Sequence, residues 1–172
     1  MAGDREVGLR ASAGDTAAFA ALVRLHERPV RRFLSRLAPG GEADDIAQEA
    51  FVTAWRSRAD YRGGGYGAWL MRIAWTRFLS QRRSDSRRTA RDHAAWTDIE
   101  SQPAASPDLR LDLAQALATL DERERAAAML CFAEGYSHGE AAEIMQLPLG
   151  TLKSIVARAR LRLAAIMEAD DD

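Results

Sequence analysis

Thr151, Lys153, Ser154 and Arg158 fall together when the segment after Pro148 is advanced by about 100° per residue, with Arg160 and Arg162 at the borders of the same face. Hydroxyls, an ammonium and guanidinium forks on one side of a helix are the donors that meet base edges and phosphates in a major groove. Base contacts belong to the first turns of such a helix, and the later arginines hold phosphate. A solvated cationic face is the plainer alternative. The flanking signals weigh against it. Ser137 followed by Glu140 is a capping box, Gln146-Leu147-Pro148 is a tight turn, and Pro148 suits the first turn of the next helix. Two short helices joined in this way make a helix-turn-helix.

A second group mixes aromatic rings with cations. Tyr61, Arg62 and Tyr66 lie in YRGGGYG, which reads as a loop because three consecutive glycines disfavour a helix. Arg72, Thr76, Arg77 and Arg83 follow on a helix expected over 68–83. Rings and guanidinium groups can stack unpaired bases, and cations bind phosphate. Trp69, Ile73 and Phe78 read as core; Trp75 could stack or pack. A third group, Asp45, Gln48, Glu49, Val52 and Arg56, shares one arc of a helix expected over 43–58, opposite Ile46, Ala47, Ala50, Phe51, Ala54 and Trp55. Taken alone, it is the wet face of an amphipathic helix.

Other chemistry is poorly supported. Asp44, Asp45 and Glu49 could be imagined as hydrolytic metal ligands, but no His or Cys accompanies them. His26, His93 and His138 are scattered, and the only cysteine, Cys131, sits in the apolar run AAAMLCF. No phosphate-binding glycine loop or nucleophile motif is present. The expectation is a non-enzyme with no metal and no cofactor. No apolar run approaches a membrane span, and the N-terminal residues lack a signal segment, so a cytoplasmic protein without membrane insertion is expected.

The elements that position these groups are helical. Ala, Leu and Arg dominate the 172 residues and β-branched residues are sparse. The net charge of −1 conceals seven arginines and one acid between Arg72 and Arg91. Apolar periodicity starts near Asp15 with Phe19, Leu22, Val23, Val30, Phe33, Leu34 and Leu37; Pro29 is expected to kink or divide that run. Residues 84–108 lose the period and read as a flexible linker, with Trp96 and Ile99 its large apolar residues. Helices are expected again at 109–118, 122–133, 138–145 and 149–167, with Gly135 as a left-handed cap. Leu149, Leu152, Ile155, Val156, Ala159, Leu163 and Ile166 form the inward side of the last one. The fold class is therefore all-α: two small helical domains, 14–83 and 109–167, on a flexible strap.

GYSHGEAAEIMQLPLGTLKSIVARARLRL and the preceding LATLDERERAAAMLCFAEG resemble domain 4 of bacterial sigma factors, particularly the extracytoplasmic-function (ECF) group of the sigma-70 family. DTAAFAALVRLHERPVRRFLSRL, ADDIAQEAFVTAWRSRADY and GAWLMRIAWTRFLSQRR resemble domain 2, in the same order. The resemblance implies a subunit that binds core RNA polymerase, recognises promoter DNA and promotes transcription initiation. It implies that Asp45, Gln48, Glu49, Val52 and Arg56 dock on the β′ clamp helices, while domain 4 reaches the β flap. Tyr61, Arg62, Tyr66, Arg72, Thr76, Arg77 and Arg83 would capture the melted −10 element. Thr151, Lys153, Ser154, Arg158, Arg160 and Arg162 would read the double-stranded −35 element. An anti-sigma factor is an expected partner. Gln146, Ile155 and Leu161 depart from the family pattern in domain 4, as do Trp75, Thr76 and Ser80 in domain 2. A stand-alone helix-turn-helix regulator is the competing reading.

Overall fold

A computed structural model describes residues 2–38, 41–92 and 115–169, and these are helical throughout apart from short turns. Helices α1 (Ala2–Ser12), α2 (Thr16–Leu37), α3 (Glu42–Arg56) and α4 (Tyr66–Asp92) form one bundle, with a 3₁₀ turn at Arg58–Asp60. Helices α5 (Glu122–Ala128), α6 (His138–Met145) and α7 (Leu149–Ala169) form the other, with a π turn, Met129–Ala133, directly after α5. The chain is also helical at 115–118.

Helix α1 has no counterpart in the expected elements. Its inward positions are Asp4, Val7, Gly8 and Ala11, a helical spacing occupied by one acid and two very small residues. No apolar stripe marks it, although it packs on α2. Helix α2 starts where Asp15 accepts a hydrogen bond from the Ala18 amide at 2.9 Å. It runs unbroken through Pro29. Val30, Phe33, Leu34 and Leu37 continue the buried face beyond the proline, so packing on α3 and α4 holds the helix across the lost amide donor. Acids at Glu42, Asp44 and Asp45 occupy the first turn of α3, where the helix dipole favours them.

The expected end of α4 near Arg83 is corrected: the helix continues to Asp92. Apolar periodicity stops near Leu79, but polar i,i+4 links carry on. The Gln81 amide donates to Asp85 at 3.2 Å, and Arg87 Nε donates to the Arg83 carbonyl at 3.1 Å. The first nine residues of the expected linker are thus helix; Trp96, Ile99 and the rest of it lie outside the described residues, as do 109–114. The single helix expected over 122–133 is α5 followed by the π turn, where the Glu134 amide bonds to the Met129 carbonyl.

The two bundles touch. Helix α4 lies against α6 and α2 against α5, and buried residues from Ala11 to Ala159 form one continuous apolar cluster. Arg32 grips Glu134 with two bonds of 2.7 Å. Arg82 pairs with Glu122 at 2.9 Å. Trp75 is buried with its ring stacked on Phe78, which settles it as a packing residue.

Candidate nucleic-acid and partner interfaces

The helix-turn-helix is built from its caps outward. Ser137 Oγ accepts from the Glu140 amide at 3.2 Å, while Glu140 Oε2 accepts from the Ser137 amide at 2.9 Å and from its hydroxyl at 2.7 Å. Those bonds, the side-chain one first, hold the Glu140 carboxyl below the usual glutamate range. Helix α6 ends at Gln146, with φ 55° and ψ 45°. The Leu147 amide reaches the Ala142 carbonyl at 2.9 Å and the Gln146 amide reaches that of Glu143 at 3.3 Å. This is a Schellman cap with glutamine where glycine is free of strain, at a cost of ~1 kcal/mol. Among the described residues, Gln146 is the sole non-glycine with positive φ.

On α7, Leu152, Ile155, Val156 and Ala159 are buried against α5 and α6. Leu149, expected on the inward side, is exposed instead, because it stands at the first turn, short of that packing. Thr151, Lys153, Ser154, Arg158, Arg160 and Arg162 are all exposed on the outer side, and Leu161 beside them is 72% exposed. Ser154 Oγ already donates to the Gly150 carbonyl at 3.0 Å. Arg158 and Arg162 both lean on Glu124, at 3.4 Å and 2.8 Å. Glu124 is 2% exposed, while the two guanidinium side chains remain 58% and 54% exposed. A carboxylate this deep requires cations, and here it draws them from the outer face of α7. The spacing of Asp121 and Glu124 in the sequence marks only a capping box. The box is present, but the same side chain also orients two arginines of α7.

The ring-and-cation loop is organised differently from expectation. Tyr61 and Tyr66 are 4% and 2% exposed, so their rings are not open to a base in this arrangement. They pack edge-on at 5.2 Å, and both abut Trp69, at 5.6 Å and 5.2 Å. The Tyr61 hydroxyl donates to the Gly64 carbonyl at 2.7 Å. Burial raises the phenol pKa of both tyrosines. Three aromatic rings in contact on a glycine-rich turn bury more than they expose, which composition alone does not reveal. The open side of the loop is a cavity of about 310 Å³ lined by Arg62, Trp69 and Arg72. Trp69, read from sequence as core, lines it together with an edge of the largely buried Tyr61. From the other bundle, Glu140, Glu143 and Ile144 close the cavity. Arg72, Thr76 and Arg83 are exposed and Arg77 is half-buried. Thr76, Arg77 and Arg72 share a shallow groove with Thr53 and Ser80, while Arg83 lines a separate one with Arg82 and Arg123.

The third group is gathered as its spacing implies. Asp45, Gln48, Glu49, Val52 and Arg56 are exposed on α3 and line one depression with Thr53 and Arg77. Ile46, Ala47, Ala50 and Ala54 fix that orientation by packing inward. Asp44 is drawn aside into an ion pair with Arg31. Among the described residues, no three His, Cys, Asp or Glu side chains cluster as metal ligands, and no helix is long and apolar enough to cross a membrane.

Two family models match this chain: sigma-70 region 2 over residues 22–88 and sigma-70 region 4 over 110–163. The chain belongs to the ECF group of the sigma-70 family. It is 36% identical over 163 residues to the ECF RNA polymerase sigma factor SigE of Mycolicibacterium smegmatis, covering 87% of this chain and 63% of that one. It is 33% identical to the RNA polymerase sigma-H factor of Pseudomonas aeruginosa, covering 91% and 90%, and 30% identical to the ECF RNA polymerase sigma-E factor of Escherichia coli K12, covering 88% and 87%. In three dimensions it is similar to the sigma factor RpoE, solved with the anti-sigma factor NepR from Bartonella quintana, with a TM-score of 0.74 and 31% identity over 88% of this chain and 98% of that one. It is also similar to CnrH, solved with the cytosolic domain of CnrY, with a TM-score of 0.72 and 27% identity over 97% and 98%. As an ECF sigma factor, the chain pairs its region-2 match with α2–α4 and its region-4 match with α5–α7.

Proposed function

We propose that this ECF sigma factor binds core RNA polymerase, recognises the −10 and −35 promoter elements and promotes transcription initiation. Two matches in the order region 2, region 4 carry the reading, because a stand-alone helix-turn-helix regulator leaves the first unaccounted for. In this reading residues 14–83 are the polymerase- and −10-binding domain and residues 109–167 the −35-binding domain. The α3 depression docks on the β′ clamp helices, where its carboxylates and amide suit arginine partners. Thr151, Lys153 and Ser154, in the first turns of α7, face base edges; Arg158, Arg160 and Arg162 hold phosphates. Arg62, Trp69 and Arg72 offer a ring and two cations to an unpaired strand.

Binding of an anti-sigma factor, the kind of partner with which the similar RpoE was solved, and contact with the β flap complete the partner set. Polymerase performs the nucleotidyl transfer, and this chain acts in the cytoplasm as its specificity subunit. The test is run-off transcription with purified core polymerase over a promoter library. Selective start sites are expected, with Lys153→Ala weakening promoter binding and leaving polymerase binding intact. No start-site selectivity on any template overturns the assignment.

A further inference from the structure

Helix α1 lies outside both family matches, yet it touches the ring-and-cation loop at three points. Asp4 Oδ2 accepts a hydrogen bond from the Tyr66 amide at 3.2 Å, at the first residue of α4. Asp4 Oδ1 lies 3.0 Å from His26 Nε2 on α2. Gly8 is packed under Tyr61, so closely that a Cβ there would stand 2.8 Å from the ring. The Arg5 guanidinium covers Gly63, whose backbone has φ +84°. One carboxylate therefore joins α1, α2 and the start of α4, and satisfies an amide that the helix itself leaves open. It does so on the covered side of the loop, directly behind the rings that fix Trp69.

We infer that Asp4 is a positioning residue for capture of the melted promoter strand: it locks the Tyr61–Tyr66 loop so that Arg62, Trp69 and Arg72 are already in place when the second bundle, whose Glu140, Glu143 and Ile144 close the cavity here, moves aside. The inference rests on the reading of that loop as the −10 capture site. Asp4 touches no nucleic acid; it acts through Tyr66 and His26. A loop that must be ordered during strand capture loses rate, whereas one already ordered does not. The effect therefore belongs to strand capture, which drives opening on a duplex, and not to polymerase binding.

The experiment uses holoenzyme reconstituted with the full chain and a promoter carrying 2-aminopurine in the non-template strand of the −10 element. The fluorescence rise reports opening. Asp4→Ala is expected to slow opening about tenfold on duplex template, on the scale of one lost charge-assisted hydrogen bond. On a template with a pre-melted −10 element, where the strand must still be captured, holoenzyme binding should remain weaker than the parent's by a similar factor, with core-polymerase binding unchanged. Asp4→Asn, which keeps an oxygen for the Tyr66 amide, should recover part of the rate. Gly8→Ala, which favours α1 as a helix but presses on Tyr61, should reproduce the defect from the other contact. Trp69→Ala with Arg72→Ala serves as the reference. If the reference slows opening and neither Asp4→Ala nor Gly8→Ala does, or if their defect disappears on the pre-melted template, the inference fails alone. If the reference leaves opening unchanged, the loop is not the capture site and both readings fall.

Discussion

Glu124→Gln isolates one negative charge at nearly constant shape. The carboxylate is 2% exposed and accepts from Arg162 at 2.8 Å, Arg158 at 3.4 Å and the Asp121 amide at 3.3 Å. A hydrogen bond to a charged group contributes about 1.5–3 kcal/mol and a neutral one about 1 kcal/mol, so the short Arg162 contact sets the scale of the loss. Stranding a fully buried charge would cost ~3–5 kcal/mol, but both arginines are more than half exposed and can regain water. The neutral side chain also escapes the cost of burying a charge. The expected destabilisation is therefore about 1–2 kcal/mol. For a chain of 172 residues that corresponds to a fall in Tm of roughly 3–6 °C. Thermal and urea unfolding followed by circular dichroism would measure it, with Arg162→Gln and the double variant completing a cycle. A coupling near 1 kcal/mol is expected between Glu124 and Arg162. Additive single effects, within about 0.3 kcal/mol, would refute the claim that this carboxylate holds the arginine. In DNA binding, the freed arginines should raise non-specific affinity and lower the ratio of specific to non-specific binding.

The other expectations concern the cap, the turn and the α3 depression proposed to dock on polymerase. Asp45→Arg combined with Glu49→Arg should abolish stoichiometric capture of core polymerase in a pull-down; normal capture would show that the α3 depression is not the docking face. Gln146→Gly should raise stability by about 0.5–1 kcal/mol in urea unfolding, because it relieves a left-handed strain, and unchanged stability would mean the turn carries none. The lowered Glu140 pKa stabilises the fold above its ordinary value of 4.5, and that stabilisation is lost as pH falls through the depressed value. Ser137→Ala removes the largest cause of the shift, so the acid-side loss of stability between about pH 5 and pH 3 should become shallower; an unaltered slope would remove Glu140 from the account.

Amino-acid order alone determined the helices whose inward faces are plainly apolar. The buried sides of α2 and α3, the two capping boxes, the turn at Gln146 and the outer face of α7 follow from spacing and cap chemistry. So do the five α3 residues that share one depression, since residues on one arc of a helix stay together whatever it packs on. Three-dimensional packing decided the rest. Helix α1 turns a half-buried acid, a glycine and an alanine inward, and α4 beyond Leu79 relies on polar links, so neither carries an apolar period to read. The fate of Tyr61, Tyr66 and Trp69 depends on which rings meet across a loop, and a ring's type is the same whether it stacks inward or faces a ligand. Glu124 lies more than thirty positions from Arg158 and Arg162, and Arg32 about a hundred from Glu134. Such pairings arise only when distant helices are folded together, because charge in a sequence has a sign and a position but no partner until the chain closes on itself.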